Sequence, residues 1–190
     1  MSSHHIVREK QEPALLIISL DNFSHELLGQ LLEWSPTVIA VAEVAEQLAI
    51  YEIKVDVIIS NESSHFAQSD VKIIPPASQT PVAAALTYLI NNSYPSINVI
   101  ASDLILTDFE PYVSKINIVL YSGNRKIYPV TNGFKKWKPG NEIVEILSIS
   151  SSLKISGLSL QSSRSYLTNH DGFFSLEFED PFVFISEEIE

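Results

Sequence analysis

The sequence predicts an α/β N-terminal domain with a doubly wound, mostly parallel sheet, followed by an all-β antiparallel sandwich. Two observations carry most of that expectation. Continuous apolar runs alternate with helical periods over the first part of the chain, as in folds built from β-α units. After about residue 114 the helical period stops, and short β-rich runs separated by Gly, Asn, Asp and Ser take over. The domains expected are therefore 1–114 and 115–190. No internal repeat or low-complexity linker separates them.

The elements follow in order. ALLIISL (14–20) is a continuous apolar run, the pattern of a parallel strand buried on both faces. SHELLGQLLEW (24–34) sets Leu27, Leu28, Leu31 and Leu32 at helical spacing, with Ser24 as N-cap. TVIAVA (37–42) reads as a strand, EVAEQLAIYE (43–52) as a helix, and VDVIIS (55–60) and INVIAS (97–102) as further strands. TPVAAALTYLINN (80–92) has the clearest helix signals. Thr80 is a natural N-cap, Pro81 sits at N1 where its missing N–H costs nothing, and Asn91 and Asn92 supply the stop. The β-rich runs of the second half are INIVLYS, KIYPV, EIVEILSIS, LKISGLSL, FFSLEF and PFVFIS.

Composition narrows the function. A hydrophobic content of 45% over 190 residues supports a real core. The net charge of −11 argues against nucleic acid or an anionic membrane as partner, since both need a positive footprint. With no cysteine there is no disulfide framework and no thiolate chemistry, which fits a cytoplasmic protein. The first 13 residues lack the apolar segment of a signal peptide, and no apolar run reaches the ~20 residues of a membrane span. His4 and His5 read as part of a solvated terminus.

In doubly wound sheets ligands sit beyond the carboxyl ends of the strands, here after Leu20, Val41 and Ser60 and at the helix start by Thr80. Nucleotide sites there rely on glycine, so that phosphate oxygens can approach backbone N–H groups. None of the six glycines lies between Gly29 and Gly123, and neither GxGxxG nor GxxxxGK[ST] is present. A magnesium site needs convergent carboxylates. Glu43, Glu62 and Asp70 are the candidates, each with a simpler reading as a helix-start or solvated loop charge. Asp21 reads as part of the turn before Ser24. His25 and His65 have no serine or carboxylate at a spacing that suggests catalysis.

The order of these segments resembles the thiamin pyrophosphokinase family. Its pattern runs through an Asp-Gly-Gly-Ala-like turn, a strand ending in a GDxDS loop, and a K-D-x-T-D segment opening a helix. AEVAEQLAIYEIKVDVIISNESS (42–64) fits the first two without a gap, and ASQTPVAAALTYLI (77–90) fits the third. PGNEIVEILSIS, LKISGLSL and FFSLEF match the family's C-terminal strands, which carry GL-x-Trp/Tyr-x-L and Ser-Asn-Glu-Phe segments. The resemblance covers nearly the whole chain and rests on spacing and hydrophobic pattern. It implies an α/β domain followed by a β-sandwich, a homodimer, and transfer of diphosphate from ATP to thiamin with magnesium.

The polar signature departs from that pattern. Ala42 stands where the family has the first Asp, and Val44 replaces a glycine. In the GDxDS loop, Ser60 replaces Gly, Asn61 and Ser63 replace the two Asp, and Ser64 agrees. In K-D-x-T-D, Ala77, Ser78 and Pro81 replace Lys, Asp and Asp, while Thr80 is kept. The family's Gly-Gly-Arg-x-Asp-His segment is not recognisable in 102–108. Of the positions that the resemblance places on thiamin, Leu160 replaces an aromatic, Leu176 replaces Asn, and Ser175 agrees.

Loss of those carboxylates removes the oxygen ligands that hold magnesium against phosphate. The expectation is a thiamin pyrophosphokinase-like protein that keeps the fold and the homodimer, has lost catalysis, and binds thiamin, another small molecule or a protein. Magnesium and ATP are expected only if the family activity is retained. One alternative is an active enzyme with a rearranged metal site using Glu43 and Glu62. Another is an assembly subunit acting through its β-rich surface, with PFVFIS and the acidic SEEIE tail at a dimer edge.

Overall fold

The computed structural model describes residues 12–61, 68 and 70–189. The chain divides into two compact units, Met1–Gly123 and Asn124–Glu190.

In the first unit the chain runs β1 (Ala14–Ile17), α1 (His25–Leu32), β2 (Val38–Val41), α2 (Ala42–Ile50), β3 (Val57–Ile59), β4 (Lys72–Ile74), α3 (Pro81–Asn91), β5 (Ser96–Ile100) and β6 (Asn117–Ser122). Two single-turn 3₁₀ segments, Leu106–Asp108 and Glu110–Tyr112, join the last two strands. The strands lie in the order β6-β5-β1-β2-β3-β4, and every pair is parallel. Leu15, Leu16, Ile17, Ile39 and Ile97 have no exposed surface, which is why their runs show no polar alternation.

Sequence signals locate the helices well. Ser24 Oγ accepts the Leu27 N–H at 3.3 Å to open α1, and Thr80 Oγ1 accepts the Ala83 N–H at 3.2 Å to open α3, with Pro81 in its first turn. β2 passes into α2 without a loop, and no side chain caps that helix. The strand β4 has no counterpart in the sequence reading. It is a three-residue edge strand ahead of Pro75 and Pro76, too short to show a period. INIVLYS, grouped by composition with the β-rich runs, adds to the parallel sheet as β6, and the compact units part after Gly123.

The second unit is antiparallel throughout. It consists of β7 (Arg125–Val130), β8 (Phe134–Lys138), β9 (Ile143–Ile146), β10 (Lys154–Ser156), β11 (Leu158–Leu160), β12 (Ser165–Thr168), β13 (Gly172–Glu177) and β14 (Val183–Glu188). Strands β11-β12-β9-β14-β7 form one row and β10-β13-β8 another. Phe174, Leu176, Phe178, Val144, Val183 and Ile185 make up much of its core. The single run LKISGLSL becomes two strands, because the chain leaves one row for the other at Gly157. Among the described residues, no helix is long and apolar enough to cross a membrane.

Candidate functional site

Within the first unit β1 pairs with β2 on one side and β5 on the other, so chain order reverses between β1 and β5. Beyond the carboxyl ends of two such strands lies the usual ligand crevice of an open α/β sheet. Serines line it. Ser19 Oγ accepts the Ser102 N–H at 2.8 Å and lies 2.5 Å from Ser102 Oγ. The Ser122 hydroxyl, at the end of β6, donates to the Ser102 carbonyl at 2.8 Å. Ser60 is buried at the end of β3. Ser19 and Ser122 are absent from the sequence-derived candidates. The signal was present, because ALLIIS, VDVIIS, INVIAS and INIVLYS all end in serine.

Around this edge the sequence-derived candidates are spread rather than gathered. Ala42 is the first residue of α2, and Glu43 is exposed in that helix's first turn. Val44 is buried beneath it. Asn61 is exposed just past Ser60, and Asp21 is exposed in the turn after β1. Ala77, Ser78, Thr80 and Pro81 are exposed where α3 begins. Asp70 is exposed close before β4, and so at the opposite, amino edge of the sheet. His25 is exposed, with its ring edge-on to Tyr51 at 4.9 Å. Glu62, Ser63, Ser64 and His65 lie outside the described residues, as do His4 and His5.

A magnesium–polyphosphate group does not fit the residues described here. No three His, Cys, Asp or Glu side chains among them come together as a metal centre. The described basic side chains of the unit, Lys54, Lys72 and Lys115, each stand at the amino end of a strand. Burial raises the pKa of the Tyr121 hydroxyl on β6 above its ordinary value.

In the second unit Leu176 is fully buried in the core, while its neighbour Ser175 lies on the other face of β13. Leu160 ends β11, with 64% of its surface exposed. These three positions therefore do not share one face. The polar interior of the unit lies elsewhere. Glu187 is buried on β14, paired with Lys136, and its second oxygen lies 3.8 Å from Lys138 Nζ. Lys136 Nζ also donates to the Tyr128 hydroxyl at 3.3 Å.

The class that fold and edge define is an α/β sheet with a polar switch point, followed by an antiparallel β unit. The chain has the fold of the thiamin pyrophosphokinases. Yeast thiamin pyrophosphokinase matches with a TM-score of 0.71 at 11% identity, over 97% of this chain and 88% of that one. A probable thiamine pyrophosphokinase from Staphylococcus saprophyticus matches with a TM-score of 0.70 at 15% identity, over 94% of this chain and 99% of that one. The Candida albicans thiamin pyrophosphokinase gives 0.67 at 13% identity, over 94% and 89%. No protein-family model matches the sequence, and no curated protein is similar to it in sequence.

Proposed function

We propose that this chain is a thiamin pyrophosphokinase-like protein that no longer transfers diphosphate and acts by binding a small molecule. The observation carrying the reading is the way kept and lost positions divide. Where the resemblance places magnesium and phosphate ligands, the chain has Ala42, Asn61, Ser78 and Pro81, none of them a carboxylate. The kept Thr80 caps α3. Asp56, which keeps the Asp of the family's Pro-Asp pair ahead of the GDxDS loop and directly precedes β3, accepts the Val38 N–H at 2.9 Å. Residues that hold backbone are retained, and those that would neutralise a transferring phosphoryl group are not.

The test is a coupled assay for thiamin diphosphate from thiamin, ATP and magnesium. The expected result is background. Magnesium-dependent turnover well above it would overturn the proposal. A rise in melting temperature with ATP and magnesium that Glu62→Gln abolishes would favour the rearranged metal site instead.

A further inference from the structure

The second unit holds the chain's one Asn-Gly pair and its one Asp-Gly pair, in the parallel settings Asn132-Gly133-Phe134 and Asp171-Gly172-Phe173. They stand at opposite ends of the β8–β13 pairing, since Phe134 is opposite Leu176 and Lys138 is opposite Gly172. In each pair the side-chain oxygen holds the facing segment. Asn132 Oδ1 accepts the Phe178 N–H at 3.0 Å, and Asp171 Oδ1 accepts the Gly140 N–H at 2.8 Å.

Of the two, only the asparagine carries a good leaving group, the ammonia of its amide. An Asn carboxamide is open to attack by the peptide nitrogen that follows it, and a glycine there puts no Cβ in the way. Here both reactants are held. The Gly133 N–H donates to the Leu176 carbonyl at 3.0 Å, and the carboxamide is fixed on Phe178. Leu176 lies in β13 and Phe178 directly follows it, so parting β8 from β13 frees nitrogen and carboxamide together. Water reaches them, because Asn132 and Gly133 are exposed and line an open cleft with Ser152, Lys154, Glu177 and Glu179.

We infer that Asn132 is a covalent modification site that deamidates when β8 opens from β13, so that a passing opening of the second unit leaves a permanent mark. The reagent is water. In the open pair the Gly133 nitrogen gives up its proton to solvent and bonds to Asn132 Cγ. The bond from Cγ to the amide nitrogen breaks, and ammonia leaves with a proton returned by water. One water molecule then opens the cyclic imide at either carbonyl, giving aspartate or isoaspartate at this position. The balance is one water taken up and one ammonia released, with no change of oxidation state. Either product weakens the strand pair. Aspartate still accepts from Phe178 but adds charge to a cleft that already holds Glu177 and Glu179. Isoaspartate inserts a backbone carbon, which draws the Gly133 N–H away from Leu176.

The test incubates the full chain in mildly alkaline buffer without urea, in sub-denaturing urea and in denaturing urea. Proteolysis and mass spectrometry then follow the peptide that contains Asn132. Conversion should be about tenfold faster in the unfolded chain than in the folded one, because the folded rate follows the population of the open form. Sub-denaturing urea should raise the folded rate in step with that population. Gly157→Ala, which strains the same unit, should speed conversion without urea. Asn132→Asp, made directly, should lower the urea midpoint read by Trp137 fluorescence in a Trp34→Phe background.

Equal rates in folded and unfolded chains would overturn the inference, and so would a folded rate that sub-denaturing urea leaves unchanged, since attack would then occur within the closed turn. Absence of conversion in denaturing urea would remove the site itself. These outcomes come from the unaltered chain, so they decide the matter whether or not Gly157→Ala folds. An Asn132→Asp chain as stable as its parent would remove the weakening assigned to the aspartyl product.

Discussion

Asp56 and Thr80 do the same physical work at different distances. Thr80 satisfies an N–H three residues ahead, a pairing that the sequence displays directly as Thr-Pro before an apolar period. Asp56 satisfies the Val38 N–H at the start of a neighbouring strand, 18 residues away, and nothing in local spacing announces it. Lys54 Nζ lies 3.2 Å from the other Asp56 oxygen but is exposed, so the ion pair adds little. Thr80→Ala should lower the unfolding free energy by about 1 kcal/mol, the usual value of an N-cap. Asp56→Ala should cost about 1–2 kcal/mol, because it leaves a strand N–H without its charged acceptor. Urea unfolding read by far-ultraviolet circular dichroism measures both. Were either variant as stable as the parent chain, that residue's retention would have no structural explanation.

At the scale of elements, much of the parallel sheet was legible because its strands are buried on both faces and read as unbroken apolar runs. The second unit was harder for two reasons. β8, FKKWK, turns Lys136 and Lys138 toward Glu187, so its pattern is not one of apolar inside and polar outside. β12 has only four residues. The site was partly legible as well: the strand ends were located, but the serine network needs β1, β5 and β6 side by side, which only the sheet order supplies. Gly157 shows where a single run becomes two strands. Its φ of +79° is left-handed, and an added Cβ would lie 2.7 Å from the Phe173 carbonyl oxygen and 3.0 Å from Phe174 Cα. Both contacts are with backbone, so neither can swing away. Gly157→Ala should therefore destabilise the second unit by about 2–3 kcal/mol, combining strained φ with displaced strand. Of the two tryptophans, Trp34 is in the first unit and Trp137 in the second, so a Trp34→Phe background leaves one reporter for the second. An unchanged urea midpoint at Trp137 would refute the corner as a point of strain.

On the whole molecule, alkaline pH is the stress the two units should meet differently, because each holds a tyrosine whose pKa is raised by a different amount. The Tyr128 hydroxyl is pushed far above its ordinary value, first by burial, then by the negative charge of Glu187 and by a hydrogen bond to it. Burial alone raises Tyr121 in the first unit. Both shifts mean that the folded chain holds these protons more tightly than the unfolded chain does. Their contribution to stability is therefore complete below the unfolded tyrosine pKa of about 10 and is lost as pH rises beyond it. Tyr128 has the larger shift, so the second unit should show the steeper decline. Unfolding free energies measured between pH 7 and pH 11 should stay level to about pH 9 and then fall. Tyr128→Phe should flatten the decline seen at Trp137 while leaving the first unit's behaviour unchanged. A decline equally steep in that variant would assign alkaline sensitivity to general charge repulsion rather than to the buried Tyr128–Glu187 pair.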